Sequence, residues 1–445
     1  MLFFVYLLLE FILLLEVEEQ VQVLDSDFIK NYYRGILVAR ELRHLELIPE
    51  PNEPRILTAV DPETLHDNDD EFRTITTGWP TDRIALLHVS NRRIRPSGLL
   101  LFLSMLIVVW ILLQPIYSIL EEVQSPNSDW AYQYVGIRQA QEIGLDGSGI
   151  KVCIVDTGVN INHPDLEHLS EKLIYKDFVS DSVEPRDYAE DGHGTLIVGL
   201  LAANGTLKGS APGVDLMVAS ALGSDEMGSD EAVADSVNWC KSNRADIISL
   251  SLGGSQDIED PLDNLAVKSV EDAMKLGIYV VAAAGNDGGL NDDGRVSVPA
   301  NVPGVISVGA LNPDGSLWEK SSRGDNLAGN GDTPRQSPNE KPEITAPGVN
   351  VVSTWIEGKY SSSSGTSDST VFVTGALALM LESNPSLKPT WDNTDRSGCI
   401  QLVKEALMES ANPFEAQARP HDDRYGYGAL NTIGLIELLE DEEDC

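Results

Sequence analysis

The stretch that most constrains the fold is an uncharged apolar segment preceded by a run of serines. Residues 361–380 read SSSSGTSDSTVFVTGALALM, and no charged residue stands between Asp368 and Glu382. Small polar residues that pass directly into an apolar run predict a loop entering a buried α-helix. Ser367 would then lie at the N-terminal end of this helix. There it is either a cap for first-turn N–H groups or a nucleophile beside them.

Three further segments place polar residues where buried elements are predicted to begin or end. KVCIVDTG reads as a buried strand that ends in a turn, with Asp156 at its carboxyl end. In DGHGTLIV, His193 lies between two glycines, which would let backbone and substrate approach closely. VVAAAGNDG reads as a strand that ends at Asn286. Sites in open α/β sheets assemble at the carboxyl ends of strands, so these residues are candidates for one site.

Each of these residues also has a purely structural interpretation. Asp156 and Asn286 could be turn formers, and His193 could be an ordinary, partly buried histidine. The order in which the motifs occur favours a shared catalytic site.

The motifs VDTG, DGHGT, AAGN and SGTS occur in this order, with framework segments between them such as HPDL, SLSLGG and VPANVPGVISVGA. In these residues the chain resembles the subtilases, the subtilisin-like serine peptidases, whose triad order is Asp, His, Ser. The resemblance covers 129–439, about two thirds of the chain. It implies an α/β fold with a doubly wound, mostly parallel central sheet and helices on both faces. Candidate strands alternate with candidate helices, in agreement with this fold class: the strands are 152–155, 216–219, 247–250, 280–283 and 305–308, and the helices are 194–203, 229–242, 262–276, 366–382 and 400–410.

The resemblance implies a serine endopeptidase that acts on protein or peptide substrates. Ser367 would attack the scissile carbonyl, His193 would act as general base and then as general acid, and Asp156 would orient His193. Asn286 and the backbone N–H of Ser367 would hold the oxyanion. Three consecutive residues would pair with an extended substrate backbone: Ser251, Leu252 and Gly253.

Asp368 departs from the family pattern, because the residue after the nucleophile is usually apolar in this family. A carboxylate there would oppose the negative charge that develops in the oxyanion hole. It would also raise the pKa of His193, and both effects would weaken in salt if Asp368 were partly exposed. A catalytically impaired subtilase-fold binding or assembly module is therefore the alternative, although all three triad residue types are present.

The family implies no required cofactor, and calcium stays open as a structural ion. The loop 200–210 is short, so the calcium that the family often binds nearby is not expected at Asp165. Acidic residues within 287–297 could bind calcium, contact basic substrate side chains, or simply be solvated.

Residues 98–120 are 23 uncharged residues, enough for a helix to span a bilayer. Arg92, Arg93 and Arg95 precede this segment, and two glutamates follow it. The positive-inside rule therefore predicts a membrane-anchored protein whose peptidase domain is extracytoplasmic.

The remaining segments carry no catalytic pattern. Residues 1–17 are apolar but contain Glu10, so a second membrane helix stays open. Residues 18–97 read as a polar, cytoplasmic accessory region, with a membrane sensor as a further alternative for the chain. Residues 440–445 are an acidic tail. The four cysteines form no spaced cluster, and buried thiols are predicted rather than disulfides or zinc ligands: Cys153, Cys240, Cys399 and Cys445.

The chain is strongly acidic, with 70 Asp and Glu against 31 Lys and Arg and a net charge of -39. This charge argues against a nucleic acid partner, since phosphate binding needs cationic side chains. It fits a surface adapted to high salt, where counterions screen the repulsion between like charges.

Because this repulsion destabilises a compact state, we expect the melting temperature of the purified protein to rise with salt. Scanning fluorimetry between about 10 mM and 1 M sodium chloride spans Debye lengths from about 30 Å to 3 Å. A melting temperature that stays flat or falls over this range would argue for an acidic protein without salt adaptation.

Overall fold

The computed structural model describes the following residues: 128–254, 264–290, 292–324, 327–328, 333–392, 394–442 and 445. The predictions made for 1–17, 18–97 and 98–120 lie outside these residues. None of the helices within the described ranges is long and apolar enough to cross a membrane.

Most strands of the described chain belong to one parallel sheet. The strands are β1 Lys151–Asp156, β2 Ile174–Asp177, β3 Asp215–Ser220, β4 Ile247–Leu250, β5 Tyr279–Ala283, β6 Ile306–Leu311, β7 Leu327–Ala328, β8 Thr333–Pro334, β9 Ile344–Pro347, β10 Val349–Thr354 and β11 Tyr360–Ser364. The sheet has the order β2-β3-β1-β4-β5-β6-β9, and every pairing within it is parallel. Two antiparallel pairs lie outside it, β10 with β11 and β7 with β8.

Helices connect these strands, as parallel pairing requires. They are α1 Asp129–Tyr134, α2 Ile137–Glu142, α3 His193–Ala202, α4 Asp230–Ser242, α5 Leu265–Met274, α6 Thr366–Ser383, α7 Ser397–Ser410 and α8 Thr432–Leu439. Short 3-10 turns occur at Pro164–Leu169, Ile356–Gly358 and Pro385–Leu387.

The helices α4 and α6 lie on opposite faces of the sheet. Cys153 of β1 is bonded to α4, whereas the Ser249 hydroxyl of β4 lies 3.0 Å from the Thr374 hydroxyl of α6, within hydrogen-bond distance. Ser249 is level with Ile154, the neighbour of Cys153 in β1. Successive residues of a strand point to opposite faces, so the two helices must cover different faces. The predicted doubly wound arrangement is therefore present.

The helix α6 is the buried centre of the domain. Every residue from Thr366 to Leu381 is buried, and the helix packs against β4, β5, β6 and β9. After Asp368 the helix has no polar charged face, and such a helix is stable only when it is enclosed, as the sequence predicted. Two of its buried hydroxyls bond inside the helix, those of Thr370 and Thr374, which donate to the carbonyls of Thr366 and Thr370, whereas the Ser369 hydroxyl donates to the carbonyl of Ala346 in β9.

The sequence located the main strands and helices to within a few residues. The predicted strand 247–250 and helix 366–382 agree with β4 and α6 almost residue for residue. The strands β2 and β9 were not predicted. Their four-residue sequences IYKD and ITAP are too short to show a period, and only pairing at the two edges of the sheet makes them strands.

The prediction of four free thiols is wrong. Disulfides join Cys153 of β1 to Cys240 of α4, and Cys399 of α7 to Cys445. The first pair is 87 residues apart in sequence, but packing brings its Cα atoms to 5.8 Å, within the range that a disulfide spans. Sequence spacing carried no sign of this pairing, because it depends on which helix covers β1.

A buried ionic cluster joins β9 to α7. Glu343, fully enclosed beside β9, accepts hydrogen bonds from Lys341 at 2.8 Å and from Lys404 at 2.7 Å on its Oε1 atom. Its Oε2 atom accepts the backbone N–H of Ser307 at 2.8 Å. Burial lowers the pKa of both lysines, and the Glu343 carboxylate opposes that shift. One carboxylate therefore compensates two buried amines.

We expect Glu343→Gln to destabilise the fold by about 3–5 kcal/mol, because it leaves two buried ammonium groups without an anion. Urea unfolding at pH 7 measures this loss. The loss of unfolding free energy should be smaller at higher pH, where Lys341 and Lys404 are more readily deprotonated. Glu340→Gln is the matched control, since Glu340 accepts a bond from Tyr427 and contacts neither lysine. Equal losses in the two variants would contradict the assignment.

Candidate active site

A cleft lies at the carboxyl ends of β4 and β5, above the N-terminal end of α6. His193, Asn286 and Ser367 line it together with the segment after β4 that holds Ser251. Asp156, the last residue of β1, reaches the same place through its bond to His193. Parallel strands bring their carboxyl ends to one edge, so residues more than 200 positions apart meet there.

Asp156 and His193 form a close pair. His193 Nδ1 lies 2.7 Å from Asp156 Oδ1; the aspartate side chain is fully buried and that of the histidine is 18% exposed. The backbone N–H of Thr157 also donates to Oδ1 at 2.7 Å. This contact fixes the imidazole ring and leaves Nε2 as the nitrogen available for proton transfer.

The pKa of His193 lies well above the ordinary histidine range. Burial lowers this pKa, but the charge of Asp156 and its hydrogen bond raise it further than burial lowers it. The charges of Asp368 and Glu226 raise it in addition. Carboxylates on several sides therefore stabilise the imidazolium form.

A network that the sequence analysis did not identify joins β1 to the start of α3. Asp187 accepts the Thr157 hydroxyl at 2.7 Å on one oxygen, and on the other the backbone N–H and hydroxyl of Thr195 at 2.7 and 2.6 Å. The Thr157 hydroxyl in turn accepts the N–H of Gly194 at 2.9 Å. These bonds hold the end of β1, which contains Asp156, against the start of α3, which contains His193. Asp187 lies in an irregular segment, where no pattern marks it.

The glycine after His193 serves close packing within the protein, and not the approach of substrate that the sequence suggested. A Cβ atom on Gly194 would lie 2.1 Å from the carbonyl oxygen of Gly158. Any other residue here would therefore push α3 away from the end of β1.

Ser367 is the second residue of α6, and it does not cap the helix. The cap position belongs to Gly365, where no side chain makes a capping bond. The Ser367 hydroxyl donates to the carbonyl of Ser251 at 3.2 Å and makes no hydrogen bond to His193 in this structure. Catalytic hydrogen bonds are often long or misaligned without substrate, so this geometry is compatible with a nucleophile.

Asn286 is oriented by Thr366, a second residue that the sequence analysis missed. Its side-chain oxygen accepts both the backbone N–H and the hydroxyl of Thr366, each at 2.9 Å. The amide nitrogen is thereby left as the donor group of Asn286 at the cleft. It lies beside the first turn of α6, whose backbone N–H groups lack partners within the helix.

The proposed substrate-binding residues follow β4 directly and line the cleft: Ser251, Leu252 and Gly253. A Cβ atom on Gly253 would lie 2.5 Å from that of Ser297, so this segment runs close to the segment that follows β5. In that second segment, Asp292 and Asp293 accept the backbone N–H groups two residues further on, at 2.8 and 2.9 Å.

The carboxylate of Asp165 does not fit a calcium ligand. It accepts the backbone N–H groups of Thr206 and Leu207 at 2.9 and 2.8 Å, and the Tyr360 hydroxyl at 3.1 Å. N–H and O–H donors thus occupy both carboxylate oxygens of Asp165, which a calcium ion would need as ligands. Nowhere in the described residues do three or more acidic, His or Cys side chains form a group suited to a metal.

Asp368 is fully buried in the first turn of α6, at the wall of the cleft. Its Oδ2 atom accepts the hydroxyl of Ser363 at 3.0 Å, and its Oδ1 atom is buried without a hydrogen-bond partner. Burial raises the pKa of Asp368 to about 7, although the charge of His193 opposes this rise. From the sequence, salt is expected to weaken the effects of Asp368 if this residue is partly exposed. Asp368 is not exposed, so salt should screen its carboxylate only weakly.

Known proteins of one family are similar to this chain. The model of the subtilase family matches residues 147–428. Subtilisin E of Bacillus subtilis (strain 168) is 35% identical over 256 residues, which are 56% of this chain and 59% of the relative. A subtilisin of Bacillus pumilus is 35% identical over 294 residues, 65% of this chain and 91% of the relative. Serine protease AprX of Bacillus subtilis (strain 168) is 32% identical over 330 residues, 66% of this chain and 67% of the relative.

The chain spans about three fifths of the length of several of these relatives, and nine tenths of the Bacillus pumilus protein. The family model covers more than half of the chain and includes both the Asp156–His193 pair and Ser367. This chain therefore belongs to the subtilase family of subtilisin-like serine peptidases.

Proposed function

We propose that the protein is a serine endopeptidase in which Asp156, His193 and Ser367 form the catalytic triad. The observation that carries the proposal is the 2.7 Å contact between Asp156 and His193, in the cleft that Ser367 enters from the start of α6. Family membership supports the same chemistry. Protein or peptide chains are the proposed substrates, and the acidic charge makes nucleic acid an unsuitable partner.

Ser367 attacks the scissile carbonyl while His193 Nε2 accepts the hydroxyl proton. Asp156 holds the ring through Nδ1 and stabilises the imidazolium that forms. His193 then gives the proton to the leaving amine. The acyl group remains on Ser367 until water attacks it by the same route.

The oxyanion is held by Asn286 and by the backbone N–H of Ser367. The side-chain oxygen of Asn286 already accepts two hydrogen bonds from Thr366. This contact leaves the side-chain NH2 group of Asn286 to donate to the oxyanion. Preorganised donors of this kind act where charge develops, and they need no reorientation during the reaction.

We expect Ser367→Ala to abolish peptide hydrolysis and labelling by a fluorophosphonate probe. Asn286→Ala should lower turnover roughly a hundredfold to a thousandfold, as removal of an oxyanion donor does. Melting temperatures show whether each variant is folded. Asp292→Asn is the control for a neighbouring polar loop residue. Full activity in folded Ser367→Ala would exclude this triad.

We further propose that residues 98–120 tether the protein to membrane lipid, with the peptidase domain extracytoplasmic. The support is the run of 23 uncharged residues and its flanks, three arginines before it and two glutamates after it. The accessory region 18–97 is then cytoplasmic, and 1–17 could add a second membrane helix.

Protease treatment of intact cells tests this orientation. With one epitope tag within 18–97 and another after 440, we expect the second tag to be lost and the first to be protected. Permeabilised cells, in which both tags should be accessible, are the control. Protection of the second tag with loss of the first would reverse the proposed topology.

A further inference from the structure

We propose that Asp368 selects a cationic side chain on the first residue of the leaving-group half of the substrate. This inference rests on the endopeptidase function proposed above, and it adds a specificity-determining residue to the same cleft. Three observations carry it: the burial of Asp368, its unpartnered oxygen, and its position relative to His193 and Ser367.

The unpartnered oxygen makes Asp368 a poor structural residue. Ser363 satisfies Oδ2, but Oδ1 is buried without a donor at the wall of the cleft. Leaving a charged oxygen desolvated and unpaired is costly. A donor arriving with the substrate would remove this cost, and an ammonium or guanidinium group would supply both a proton and a countercharge.

The geometry of proton transfer assigns Asp368 to the leaving-group half of the cleft. His193 must deliver its proton to the leaving amine, so that amine departs on the side where His193 lies. Asp368 is near enough to His193 for each charge to shift the pKa of the other. Ser251, Leu252 and Gly253, which lie beside the segment that contains Ser297, are assigned to the acyl half of the substrate in this proposal.

Few cations compete for Asp368 among the described residues. The charges that act on Asp368 are those of His193 from α3 and Asp156 from β1, and burial keeps the nearby Tyr132 of α1 neutral by raising its pKa. The described lining of the cleft contains several carboxylates, among them Asp191 and Glu226, and one side chain of Arg, Arg295. Arg295 belongs to the segment that approaches Gly253, on the acyl side. The field near Asp368 therefore favours a positive ligand.

Interception of the acyl-enzyme by amines measures this selectivity separately from acyl-side binding. A peptide ester acylates Ser367 and releases its alcohol. The amine nitrogen then attacks the acyl carbonyl and forms the C–N bond. His193 accepts the amine proton and returns it to Ser367 Oγ as the acyl–oxygen bond breaks. The ratio of peptide product to hydrolysed acid reports binding of the amine on the leaving-group side.

Lysinamide and norleucinamide are the probes, since their side chains have similar length and differ in charge. In the full-length protein at pH 8.5, lysinamide should intercept the acyl-enzyme at least about tenfold better, a difference typical of one well-placed charge contact. In Asp368→Asn the preference should fall to within about twofold. Asp287→Asn is the matched control, because it removes another carboxylate from the lining of the same cleft, one that accepts a hydrogen bond from Ser322.

The control variant should keep the preference for lysinamide. A preference that is absent from the unaltered protein, or equal in Asp368→Asn, would overturn the inference. Equal losses in the two variants would assign the effect to the general acidity of the cleft and would also overturn it. If the protein does not hydrolyse the peptide ester at all, the proposed endopeptidase function is wrong, and this inference is wrong with it.

The pH dependence in the unaltered protein is a second test that needs no variant. The pKa of Asp368 is raised to about 7 by burial, so the carboxylate is mostly neutral below that pH and ionised above it. The ratio of lysinamide to norleucinamide products should therefore rise severalfold between about pH 6 and pH 8.5. Taking this ratio cancels the titration of His193, which both amines share. A ratio that stays constant across this range would contradict the role of Asp368.

Discussion

The structure depends on the burial of α6 from Thr366 to Leu381. Because no charged residue stands between Asp368 and Glu382, this helix can occupy the centre of the domain, where it packs against β4, β5, β6 and β9. Its N-terminal end must then meet the carboxyl ends of these strands, because the strands are parallel. This is why Ser367 lies beside Asn286 and Ser251, residues far from it in sequence. The proposed catalytic cleft follows from the packing of one helix on one sheet.

Burial also determines how the charged residues of the site behave. Asp187 is half-buried and accepts hydrogen bonds on both oxygens, and these bonds join the end of β1 to the start of α3. Asp165 is enclosed by N–H donors from the loop, which occupy the oxygens that a cation would need. Asp368 is enclosed with one oxygen unpaired. The role of a buried or half-buried aspartate in this domain therefore depends on how many hydrogen-bond donors surround it. Asp187 joins two elements, Asp165 has no oxygen left for a cation, and Asp368 keeps one oxygen without a donor.

Much of the site was predictable, because its residues lie where a local pattern changes. Asp156 directly follows a run of apolar residues, and Ser367 stands four residues before one begins at Val371, so the change of polarity marks both positions. Family resemblance then supplied the order and roles of the residues. The residues that were missed, Thr157, Asp187 and Thr366, act only through contacts across the chain. No local pattern distinguishes such residues from ordinary turn or loop residues.

The sequence by itself determined the buried helix, the parallel strands and the membership of Asp156, His193, Asn286 and Ser367 in one site. These features follow from hydrophobic period and from motif order, which are properties of neighbouring residues. Tertiary structure alone decided that Cys153 pairs with Cys240, and that Asp368 is enclosed beside His193. Both outcomes depend on which elements pack together. Distances between residues remote in sequence are set by the packing of the whole domain, and a linear pattern does not contain them.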